Sequence, residues 1–223
     1  MRDANYVTAR NLAQKSAEWI ALAEGRCRAK ENFHLVPEGS ALLVIDMQRF
    51  FTDSLSHAYI PAVDAILPNV QALIGAYRKR CLPVIFTRHA FLSEEDPGIL
   101  GKWWRDALLE GDEYAEVDPR VAPDKGELVL RKNRYSAFSN PRLEKKLRGG
   151  KIGQIVIAGV MTHLCCETTA RDAFMRDFEA YFTVDATATD DEELHCATLQ
   201  TLSSGFAVPV STAEVLRIMG ERR

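Results

Sequence analysis

Two adjacent cysteines, Cys165 and Cys166, stand inside GVMTHLCCETTARDAF, where an apolar run hands over to a helical pattern. A cysteine can act as a nucleophile, as a metal ligand or as buried packing, and its partners decide which. If a helix starts near Leu164, Cys166 shares a face with Ala170, Ala173, Phe174 and Phe178, an apolar stripe suited to a sheet. That makes it an inert buried thiol. Cys165 falls instead beside Thr168, Thr169 and Asp172, in the first helical turn. Unpaired N–H groups and the macrodipole there are expected to lower a thiol pKa and to receive an oxyanion.

Two other charged residues close apolar runs in the same way. Asp46 ends ALLVID, and Lys132 follows ELVLR. Alone, Asp46 reads as a cap or turn residue and Lys132 as a solvated strand end. Together with Cys165 they place a carboxylate, an ammonium and a thiol at three strand ends, which in an open α/β sheet is where ligands bind. Asp46 can take the thiol proton, return it to a leaving amine and then activate water, and Lys132 can hold Asp46 and offset negative charge.

The elements that must bring them together are short and alternate. Strands are expected at 41–46, 83–87, 127–131, 154–159, 180–184 and 207–210, mostly continuous apolar runs of the kind buried on both faces. Helices are expected at about 61–80, 98–110, 140–148, 164–177 and 190–204, and from about 212. The pattern is α/β: a three-layer sandwich on a mainly parallel, doubly wound six-stranded sheet, Rossmann-like. An amphipathic helix at 8–24, with Leu12, Ala13, Ala17, Ile20 and Ala21 on one side, precedes it. We therefore divide the chain into a helical extension, 1–38, and a domain, 39–223. The helix can pack on its own domain or on a second subunit. The long connection at 91–126 reads either as a lid carrying Trp103 or as core, through a stripe of Leu100, Trp104, Ala107 and Leu108.

Bulk properties narrow the function. The 223 residues carry a net charge of −3, with both signs interspersed, which gives no footprint for nucleic acid. No apolar run approaches the roughly 20 residues of a membrane span. The first residues lack a signal-peptide core, and five cysteines suit reduced thiols, so a cytoplasmic location is expected. No glycine-rich phosphate loop follows a strand, and no cofactor is expected.

Three segments, LLVIDMQRFF (42–51), LRKNRYSAF (130–138) and GVMTHLCCETTARDAFMRDF (159–178), followed by VDATAT (184–189), resemble the isochorismatase-like cysteine hydrolases from about residue 40 to about 215. That family includes nicotinamidases, N-carbamoylsarcosine amidase and ureidoacrylate hydrolase. The resemblance puts Asp46, Lys132 and Cys165 on the family's Asp-Lys-Cys triad. It also implies a cis peptide joining Val160 to Met161, an oxyanion hole from the amides of Met161 and Cys165, and a small-molecule substrate on a homo-oligomer. DMQRFF and KNRYSAF are similar to the true isochorismatases and the related phenazine-pathway hydrolase, as is the long N-terminal start. Those enzymes cleave a vinyl ether and lack the cysteine.

The reading that follows is a hydrolase cleaving a small amide, ureido or carbamoyl C–N bond through a thioester on Cys165. The alternative is an isochorismatase-type vinyl-ether hydrolase without a covalent step, and a third possibility is a non-catalytic oligomeric platform. Gln48, Phe51, Tyr135 and Thr162 are candidates for pocket lining by neighbourhood, Arg88 and His89 by following the second strand, and Trp103 from the long connection. Asp53, His57 and His89 lack the Asp-x-His spacing of a nicotinamidase metal site, and no metal is expected. His195 reads as structural.

Overall fold

A computed structural model describes residues 5–28, 30–93 and 96–220. Six strands, β1 (Ser40–Ile45), β2 (Val84–His89), β3 (Leu128–Lys132), β4 (Gln154–Val160), β5 (Glu179–Ala188) and β6 (Ala207–Val210), form one sheet. The order is β3-β2-β1-β4-β5-β6 and every neighbouring pair is parallel. The central strands β1 and β4 are largely apolar runs because helices cover both faces. The chain steps outward from β1 to β3, then returns to place β4 on the other side of β1. This reversal opens a crevice at the carboxyl ends of β1 and β4.

The helices are α1 (Leu12–Glu24), the single turn α2 (Arg49–Thr52), α3 (Val63–Lys79), α4 (Gly98–Trp104), α5 (Arg142–Gly149), α6 (Glu167–Phe174), α7 (Glu192–Ser203) and α8 (Thr212–Ile218). α3 and α8 pack together on one face of the sheet, and α5, α6 and α7 cover the other. The result is a three-layer α/β/α sandwich. Among the described residues no helix is long and apolar enough to cross a membrane.

Three local expectations need correction. The helix at 98–110 stops at Trp104, because Arg105 turns left-handed at φ 55°. α6 does not begin near Leu164: Thr162–Cys166 form a π-helical turn that leads into it, and Phe174 is half exposed instead of lying in the buried stripe. α1 buries Ser16, Trp19 and Ala23, while Ala13, Ala17 and Ala21 face solvent. Alanine fits either environment, whereas the buried polar atoms found partners. Ser16 Oγ donates to Asp185 at 2.9 Å, Trp19 Nε1 donates to Glu192 at 3.1 Å, and Lys15 pairs with Glu192 at 2.8 Å. α1 therefore packs on β5 and α7 of its own chain.

Candidate active site

β1 ends at Ile45, and the next residue, Asp46, has φ 48°. This left-handed conformation, which Asp tolerates better than most residues, turns the chain at the strand end. The carboxylate is wholly buried. Its Oδ1 accepts a 2.7 Å hydrogen bond from Thr87 Oγ1, and the Asp46 amide donates back to the same oxygen at 3.1 Å. Oδ2 faces Lys132 Nζ at 2.6 Å in an ion pair.

Lys132 is the last residue of β3. Besides Asp46, its ammonium donates to Cys165 Sγ at 3.1 Å and to the Arg134 carbonyl at 3.1 Å, so each of its three N–H groups has a direction to point. Burial alone would lower its pKa. The neighbouring Asp46 and Cys165 outweigh burial and raise it, so it stays charged. The same desolvation acts on Cys165, which is 6 % exposed. Burial pushes its thiol up to about 12, the Asp46 charge adds to this, and Lys132 opposes it. The expected lowering by a helix N-terminus therefore does not rule here. The sulfur holds its proton beside a carboxylate. Cys166 is fully buried, and its pKa is raised still more clearly by the same cause.

Cys165 opens onto a cavity of about 590 Å³. Phe51, His89, Tyr135 and Met161 from the expected set also line it. The Val160–Met161 peptide is cis, and the Met161 carbonyl accepts from the amides of Leu164 and Cys166. Val160 itself is buried in β4.

Four expected lining residues lie elsewhere. The Gln48 side chain is saturated: its Nε2 donates to the carbonyls of His89 and Ala115, and its Oε1 accepts from the His89 amide. Arg88 and His89 are consecutive in β2 and so point to opposite sides. Arg88 pairs with Glu110 and Glu116 at 2.9 Å each, away from the cavity. Trp103 is 75 % exposed, and its neighbour Trp104 lines the cavity, donating from Nε1 to Tyr135 Oη at 2.8 Å. Trp104 is thus cavity wall, not core. Thr162 is buried, with its hydroxyl on His195 Nδ1 at 3.0 Å. The other nitrogen of that ring meets the Val184 carbonyl, which makes His195 a structural residue.

Asp53 caps the amide of Leu55 and pairs with Arg49, and His57 pairs with Asp106 at 2.8 Å. Among the described residues, no three His, Cys, Asp or Glu side chains are grouped to hold a metal ion. The residue that sequence reasoning missed is Thr87. Its signal was one hydroxyl in an otherwise apolar strand, ending VIFT.

Residues 40–214 match the family model of the isochorismatase domain. The chain belongs to the isochorismatase family of hydrolases. It is 41 % identical over 184 residues to nicotinamidase 3 of Arabidopsis thaliana, covering 80 % of this chain and 87 % of that protein. It is 34 % identical to enterobactin synthase component B of Escherichia coli K12, covering 84 % of this chain and 66 % of that one. A cysteine hydrolase from Pseudomonas syringae pv. phaseolicola superposes with a TM-score of 0.81 at 27 % identity, over 84 % of this chain and 95 % of that structure. As a member of this hydrolase family the chain is an enzyme, and a small-molecule substrate is consistent with that membership.

Proposed function

We propose that this hydrolase cleaves a C–N bond of a small amide, ureido or carbamoyl compound through a thioester on Cys165. The observation that carries the reading is the placement of Cys165 Sγ 3.1 Å from Lys132 Nζ, with Asp46 2.6 Å from the same ammonium, at the wall of a cavity. As Sγ attacks the carbonyl carbon, its proton passes to the Asp46 carboxylate. The new C–S bond forms as the carbonyl π pair moves to oxygen, where the amides of Met161 and Cys165 receive it. Collapse of this adduct breaks the C–N bond, and Asp46 gives its proton to the leaving nitrogen. Water, deprotonated by Asp46, then attacks the thioester, and the thiol is restored with release of the acid. Lys132 stays charged throughout, holding Asp46 between its two tasks. The high resting thiol pKa supports this order, since thiolate is produced only when a base stands ready to take the proton.

The test is intact-protein mass spectrometry after mixing with a panel of small amides and ureido acids, with ammonia release followed in parallel. The wild type is expected to gain one acyl mass under rapid quench. Cys165→Ala is expected to gain none and to lose at least about 10⁴-fold in turnover, the scale seen when a nucleophile is removed. Turnover surviving that substitution would remove the thioester. The likeness to enterobactin synthase component B supports a second reading, vinyl-ether hydrolysis with Asp46 as acid. Isochorismate turnover that resists thiol alkylation would establish that one instead.

A further inference from the structure

We infer that His89 sets substrate choice: its Nε2–H edge faces the cavity and donates a hydrogen bond to an acceptor atom on an uncharged amide. This rests on the amidase reading above. His89 closes β2 beside Lys132 in the sheet register. Its backbone is clamped on both sides by Gln48, and its ring stands edge-on to Phe91, centroids 4.8 Å apart at 85°. The ring is thus held rigidly in the cavity wall.

Its Nδ1 is shut away from solvent and has no hydrogen-bond partner. A buried N–H without an acceptor is rarer and costlier than a buried lone pair. The single proton of a neutral imidazole therefore belongs on Nε2. The ring is neutral because burial, with Lys132 adding to it, lowers its pKa to about 4. What it offers the cavity is a hydrogen bond without charge. The other charged lining groups are of both signs: Arg105 stands with Asp106 and Asp190 in the lining, and Asp106 pairs with His57. A substrate carrying carboxylates would meet no surplus cation here, whereas a neutral amide with a second acceptor meets a fixed donor.

The experiment uses the full chain as Cys165→Ala, with ¹⁵N-labelled histidine, and four uncharged probes of one shape: benzamide and the three pyridine carboxamides. A fifth probe, 3-carbamoylbenzoate, bears a charged acceptor. The expected results are an Nε2–H tautomer for His89 in the ¹⁵N spectrum and about tenfold tighter binding of at least one pyridine isomer than of benzamide. 3-Carbamoylbenzoate should bind no tighter than benzamide. In the added background of His89→Phe the ratio of pyridine to benzamide affinity should fall to about one, and His89→Asn, which keeps a donor, should retain part of the preference. An Nδ1–H tautomer, a preference that survives His89→Phe, tightest binding by the carboxylate, or no binding by any pyridine isomer would each overturn the inference. The acyl-mass assay on wild type reads separately. A thioester formed without any His89-dependent preference sinks this inference alone, and a preference without a thioester sinks the covalent mechanism alone.

Discussion

At the scale of single residues, the proposed chemistry depends on opposed influences on one sulfur. Burial and Asp46 hold the Cys165 proton on, while Lys132 favours its release. Asp46→Asn removes one negative neighbour and leaves the ammonium unopposed, so the thiol pKa should fall. Iodoacetamide should then alkylate Cys165 faster at pH 8 in Asp46→Asn than in wild type, while the amide turnover proposed above falls by at least about 10²-fold for want of the proposed base. Slower alkylation in the variant would contradict this electrostatic account. The variant should also be less stable, by roughly 3–5 kcal/mol, because a fully buried ammonium loses its counter-charge. A urea titration checks that.

At the scale of elements, the site exists because β1 and β4 end side by side. Gly159 makes this possible: it pairs with Ile45, has φ 118°, and a Cβ there would lie 2.0 Å from the Ile45 carbonyl oxygen. Backbone cannot move aside as a side chain can. Gly159→Ala is expected to cost about 4 kcal/mol or more and to lower soluble yield sharply, as read by a urea midpoint. The strands themselves were legible in the sequence, since apolar runs of this length between helical patterns have few other readings. So were the positions of Asp46 and Lys132 at strand ends and of Cys165 just beyond one, because strand ends are where polar residues interrupt such runs. Trp104 and Gln48 were not. Whether an aromatic residue faces a cavity or a core depends on where Arg105 ends α4, and Gln48 found its three partners on segments far away in sequence. The buried face of α1 was misjudged for a similar reason: Ser16 and Trp19 are buried by partners on β5 and α7 that no local pattern reveals.

At the scale of the whole molecule, two imidazoles, His195 buried and His89 partly buried, tie stability to pH. Burial lowers His195 to about 3 and His89 to about 4, against an unfolded value of about 6.5. On acidification the unfolded chain takes up these protons first. The contribution is therefore fully present above pH ~6.5 and is lost as pH falls through the window down to about 3–4. Each histidine steepens the loss by about 1.4 kcal/mol per pH unit inside that window. His195→Gln should lower stability at pH 7 yet flatten the dependence between pH 6 and 4 by about that slope. Chemical unfolding at a series of pH values gives the comparison, and an unchanged slope would show that His195 is not buried neutral.

The Gln48 amide fastens the end of β2 to the segment around Ala115, beneath the cavity wall that carries His89. That side of the chamber is riveted, since neither the end of β2 nor the Ala115 segment can shift without breaking the bonds to Gln48.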